Sequence, residues 1–165
     1  MRGKRFLAEL EKKRYQIRLE LLTFGLVAAS FILLISFYEN LPERVQIYFN
    51  WPSKDEVGLA PRNTLWYSAV ISLVVVSALT FLNRAIVIKD YSDTRQQSLR
   101  RVSNSLLRII ALLVGAIFLL MTVASLFKSN GFEIGSLEIV IEYFPLVFVF
   151  VTIVFIVRVF SVSKS

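Results

Sequence analysis

Ile109-Ile110-Ala111-Leu112-Leu113-Val114-Gly115-Ala116-Ile117-Phe118-Leu119-Leu120-Met121-Thr122-Val123-Ala124-Ser125-Leu126-Phe127 runs for 19 residues without a charge. A helix rises about 1.5 Å per residue, so this stretch is roughly 28 Å long as a helix, close to the hydrocarbon thickness of a bilayer. In lipid every backbone N–H and C=O must find its partner inside the protein, which leaves helices and closed barrels. Barrel strands alternate apolar and polar residues, whereas Ile110 to Leu120 is apolar or small throughout. The stretch reads as a membrane-spanning helix.

Three further runs have the same character: Leu21 to Phe37, Leu65 to Leu82 and Tyr143 to Val157. The last is short, but it extends outward through Ile139 to Ile141 and inward past Arg158 through Val159 and Phe160, with Glu142 and Arg158 snorkelling to the headgroups. A hydrophobic content of 56% in 165 residues exceeds what a water-soluble domain of this size needs for its core. The fold class expected is all-α, a polytopic transmembrane four-helix bundle. About twenty residues precede the first run and its end, Ser36-Phe37-Tyr38, lacks the small residues of a signal-peptidase site, so it reads as a retained span.

Cations orient the chain. Seven precede the first run, six lie between the second and third and two follow the fourth, against only Arg44, Lys54, Arg62 and Lys128 on the other face. The positive-inside rule then places both termini in the cytoplasm, and the net charge of +7 is a topological signal rather than one for nucleic acid. The organisation expected is a basic cytoplasmic segment (1–20), a helix pair (21–82) enclosing an extracytoplasmic loop (38–64), a basic cytoplasmic loop (83–108), a second helix pair (109–160) and a tail (161–165). The N-terminal segment puts Phe6, Leu7, Leu10, Arg14 and Ile17 near one helical face, a pattern compatible with lying on the membrane surface before turning in; the plainer reading is a solvated basic anchor that fixes topology, and the alternative is a surface for a cytoplasmic partner.

The chain has no cysteine and no histidine. Thiol nucleophiles, Ser-His-Asp relays and imidazole zinc sites are therefore excluded, and the carboxylates show no metal-ligand spacing. We expect no catalytic residues, no cofactor and no metal, and a partner set of the lipid bilayer, another membrane protein or a peptide ligand, or a second copy of the chain. Gly25 and Ala29, Ser68 and Ser72, and Ala111 and Gly115 form small-xxx-small pairs suited to close helix seams. Glu142, with Pro145 three residues later, is a candidate polar site at the membrane edge; the plainer reading is a helix end at the interface. A transporter or channel built by oligomerisation would need a polar seam assembled between copies.

The outer loop is the most informative segment: Tyr38-Glu39-Asn40-Leu41-Pro42-Glu43-Arg44-Val45-Gln46-Ile47-Tyr48-Phe49-Asn50-Trp51. Val45, Ile47 and Phe49 fall on one side of an extended segment and Arg44, Gln46, Tyr48 and Asn50 on the other, the alternation of a half-buried strand. The apolar side is expected on the outer helix ends, with Trp51, Trp66 and Tyr67 in the interfacial belt. Arg44 is placed to pair with Glu39 or Glu43 and brace the strand.

Leu41-Pro42-Glu43-Arg44-Val45-Gln46-Ile47-Tyr48-Phe49-Asn50, just after a first span and followed by Asp55, Gly58 and Arg62 before a second, resembles the signature of a bacterial membrane domain found in Sdp-type immunity membrane proteins and their smaller relatives. The usual pattern there is Leu-Pro-x-Arg-Val-Pro-x-His-Phe-Asn, then a glycine, an acidic-glycine step and a lysine. Gln46 replaces the proline, Tyr48 the histidine, and Arg62 stands near the lysine; a role for the histidine in metal or proton binding does not carry over to Tyr48. The resemblance implies a bacterial cytoplasmic-membrane protein linked to peptide-toxin immunity or signalling. Leu41, Pro42, Arg44, Tyr48, Asn50 and Asp55 are the binding or bracing residues it singles out.

Overall fold

In a computed structural model of the chain, the backbone is described for residues 2–47, 59–88 and 94–164, and side chains for 14–47, 59–85 and 102–157. Four long helices, α1 (Arg2–Phe37), α2 (Thr64–Ile88), α3 (Thr94–Ser129) and α4 (Gly135–Lys164), form a bundle, with two short strands, β1 (Arg44–Gln46) and β2 (Leu59–Pro61), between α1 and α2. All four helices contain a segment long and apolar enough to cross a bilayer: Arg14–Asn40, Thr64–Ala85, Val102–Ser129 and Gly135–Val157. The architecture is that of a multi-pass membrane protein. Its motif end carries the strands and the α3–α4 turn; its terminal end carries the chain ends and the α2–α3 connection.

The first three helices run further than their hydrophobic runs. α1 is continuous from Arg2, so the N-terminal segment prolongs the first span instead of forming a separate surface helix that turns in. α2 continues to Ile88 and α3 begins at Thr94, so most of the expected loop 83–108 is helical. No glycine or proline interrupts the chain between Arg62 and Val114, and residues such as Arg, Gln and Leu sustain a helix beyond the lipid.

The helix ends have local causes. Leu41 is extended at φ −80°, ψ 142°, as the residue before Pro42 must be, so α1 closes in a single 3-10 turn over Tyr38–Asn40. At the end of α3, Gly131 adopts φ +80° and donates to Lys128 O, while Phe132 N–H reaches back to Phe127 O at 3.1 Å. This is the paired hydrogen-bond pattern of a left-handed cap, and the accompanying apolar contact is the Phe127–Phe132 ring pair at 5.6 Å. Glu138 then sits in the first turn of α4, where a negative charge suits the helix dipole, and pairs with Lys128.

α1, α2 and α3 pack mutually, whereas α4 lies mainly against α3. Only 6% of the α4 span is buried inside the protein, consistent with bilayer hydrocarbon around most of it. The inner seam is built from small and hydroxylated residues: Thr23, Val27 and Ser30 on α1; Ser68, Ala69 and Ser72 on α2; Ala111, Thr122, Ala124 and Ser125 on α3. Thr23, Ser30, Ser68 and Thr122 each donate their hydroxyl to a carbonyl of their own helix, which lets them sit in an apolar seam without an orphaned donor.

Two of the three small-residue pairs therefore lie at seams. Gly25 is exposed instead, with nothing within 4 Å of the position its Cβ would take, whereas at Gly115 a Cβ would meet the Thr23 carbonyl at 3.4 Å and Leu26 at 3.6 Å. Gly115→Leu is expected to force α1 from α3 and lower stability by about 1–3 kcal/mol, the usual penalty of overpacking. Gly25→Leu, adding the same side chain on the open face, should leave the melting temperature in detergent nearly unchanged.

Candidate functional site

At the motif end, β1 pairs antiparallel with β2 in the register Arg44–Pro61, Val45–Ala60 and Gln46–Leu59. Pro61 lacks an N–H and is tolerated because the ladder has only two strands, both edges. The pairing is continued by Arg62 N–H donating to Glu43 O at 3.0 Å. The alternation read from the sequence holds at Arg44, which is exposed, Val45, which is fully buried, and Ile47, which packs on the same cluster; Gln46 is half-buried as Ile47 is, and Phe49 lies outside the described residues. Val45 and Leu41 join Leu34, Leu65, Ala69 and Leu126, so the strand is seated on the ends of α1, α2 and α3.

An aromatic row supports this cap. The Arg62 guanidinium lies over the Tyr38 ring at 4.9 Å from its centroid, Tyr38 meets Trp66 at 5.7 Å, and Trp66 meets Phe31 at 6.2 Å. A guanidinium over an aromatic face contributes about 0.5–1 kcal/mol at an exposed site. Among the described residues, Arg44 makes no ion pair with Glu39 or Glu43. Bracing of the cap comes from Arg62 instead, leaving Arg44 on the outer surface.

Of the residues singled out from the sequence, Leu41 is buried beneath the cap and Pro42 and Arg44 lie on its exposed side. Tyr48, Asn50 and Asp55, with Trp51, lie outside the described residues. Tyr67 is exposed, as an interfacial residue should be. Glu142 is an exposed residue of α4.

A second polar assembly, made of residues outside those singled out from the sequence, stands at the terminal end. Glu20 of α1 accepts a hydrogen bond from Arg84 of α2 at 3.1 Å and lies 3.5 Å from Arg108 Nε of α3, joining three helices through one carboxylate. Arg84 is largely exposed, whereas the Arg108 side chain retains 12% of its surface. The signal was present in the sequence: Glu20 is the last acid before the first apolar run, and Arg84 and Arg108 are the cations nearest the matching ends of the second and third. Its members sit near the ends of their spans, so no charge has to lie at the bilayer centre.

Among the described residues no group of acidic side chains is arranged to hold a metal ion. At the motif end the geometry is an exposed cation, Arg44, on a strand whose neighbouring residue Val45 is buried in the helix ends. No protein-family model matches the chain, and neither a curated protein nor a solved structure matches it.

Proposed function

We propose that the chain is a multi-pass protein of a bacterial cytoplasmic membrane, both termini inside, that acts without catalysis as a binding component of an immunity or signalling system. Its contact surface is the motif-end cap, and its ligand is a membrane-active peptide or another membrane protein. The observation that carries this reading is the seating of β1: Val45 and Leu41 are buried in the helix ends while Arg44 faces outward. A connector needs no such anchoring, whereas a presented side chain gains from being held before it binds. The distribution of cations, fifteen on one side against four on the other, supports the orientation.

The test replaces Arg44 and Asn50 by alanine in cells challenged with a secreted membrane-active peptide. Protection is expected to fall by roughly tenfold or more at unchanged protein abundance, since losing one charged contact removes at least about 1.4 kcal/mol of binding. Undiminished protection would remove the cap from the mechanism.

A second reading, an accessory subunit of a larger membrane complex, draws on α4. Its span is nearly uncovered, and it borders a crevice of about 310 Å³ against α3, lined by Leu106, Ile109, Phe150 and Val154 among others. Co-purification in mild detergent that is lost on substituting Phe150 and Val154, with Arg44→Ala neutral, would favour this reading over the first.

A further inference from the structure

Asn83 of α2 is 1% exposed, and neither its amide oxygen nor its amide nitrogen has a hydrogen-bond partner. Nearby, Arg108 Nε is buried and makes no hydrogen bond either; its 3.5 Å approach to Glu20 is an ion pair without hydrogen-bond geometry. An unpaired buried polar group is destabilising, and three such atoms at one helix junction call for a common partner.

The space for it is present. A cavity of about 10 Å³ lies between the three helices, lined by Glu20, Thr23, Thr80, Asn83, Arg108 and Ala111 among others. A water needs roughly 10–15 Å³ measured this way, together with two to four polar neighbours. Larger anions do not fit. A bare cation would serve the oxygens of Asn83 and Glu20 but not the two N–H groups, and would sit against a guanidinium. Chloride would satisfy the N–H groups but would sit against the Glu20 carboxylate. Water alone both donates and accepts within that volume.

We propose that this cavity is a binding site for a single water molecule, shared by Asn83, Arg108 and Glu20, that completes the polar junction of α1, α2 and α3. The water supplies an acceptor for Arg108 Nε or the Asn83 amide hydrogens and donors for Asn83 Oδ1 or the Glu20 carboxylate. The junction is thus hydrated, whereas Ala69 and Val76, buried further along α2, do not line this cavity. Glu20 and the exposed Arg84 lie on the side of the site nearer the aqueous phase, the direction from which its water exchanges.

The experiment is water-to-protein cross-relaxation by NMR on the full chain in nanodiscs, with asparagine side chains labelled with nitrogen-15 and alanine and valine methyls with carbon-13. The Asn83 amide signals are assigned by their loss in Asn83→Asp or, should that variant not fold, in Asn83→Ser. Dipolar cross-peaks to water, opposite in sign to exchange peaks in the rotating frame, are expected at the Asn83 amide and the Ala111 methyl. They are expected to be missing from the Ala69 and Val76 methyls. Silence at Asn83 and Ala111 would overturn the proposal, and so would equal cross-peaks at all four positions, which describe a generally wet bundle.

Discussion

Glu20→Leu is expected to lower the unfolding free energy of the protein by about 3 kcal/mol or more, because it strands a buried cation. Arg108 has 12% of its side chain exposed and lies within the span Val102–Ser129, six residues from its start, so its guanidinium cannot readily replace the carboxylate with bulk water. Arg84, with 67% of its side chain exposed, contributes little to the penalty, since exposed pairs are worth under about 1 kcal/mol. The two contributions separate in a double-mutant cycle. Arg84→Leu alone should change stability slightly, whereas Glu20→Leu and Arg108→Leu should each be severe and their combination milder than the sum. Steric trapping in lipid, or denaturant titration in detergent, measures each corner. A Glu20→Leu protein as stable as the parent would show that Arg108 is already solvated and that the three-helix junction is not a point of cohesion.

The four spans were legible because a bilayer imposes a length and a hydrophobicity that few other environments demand; the helix ends at Leu41-Pro42 and Gly131 carry backbone signals too, but hydrophobicity alone does not register them. The burial of Val45 and the exposure of Arg44 followed from a period of two. What escaped the sequence was of three kinds. Continuation of α1 and α3 beyond the membrane was hidden because the polar, basic stretches at Arg2–Leu19 and Thr94–Leu107 have the composition of a solvated connector as much as of an exposed helix. Pairings between distant residues were hidden because nothing local announces them: Glu20 is 64 positions from Arg84, and Arg62 reaches Tyr38 across the whole outer loop. β2 was missed for a third reason, since Leu59-Ala60-Pro61 contains a proline that argues against a strand except at an edge. The isolation of α4 agrees with its sequence in retrospect: it is apolar all round, so no single face selects a partner helix.

Val45→Asp is expected to detach the cap while leaving the helices in place. The side chain is fully buried among Leu34, Leu41, Leu65, Ala69 and Leu126, with no described cation beside it in that cluster. A carboxylate there is either ionised without a partner or held protonated, and both states are destabilising by several kcal/mol in an apolar setting. The strand pair is short, with three residues in each strand, so release of β1 is a cheaper response than separation of the long helices, whose apolar spans the substitution does not touch. The chain has no cysteine, so a single Ile47→Cys reports the state of the cap directly. Labelling by a membrane-impermeant maleimide should accelerate at least tenfold when Val45→Asp is added, equivalent to about 1.4 kcal/mol of easier opening. Val45→Ala, which removes volume without adding charge, should accelerate it less. Equal labelling in all three backgrounds would mean that the strand is not held by its buried residue. Because Arg44 itself is intact in Val45→Asp, loss of peptide protection in that variant at normal abundance would tie function to the way the arginine is held, and retention of protection would show that the arginine acts without the strand beneath it.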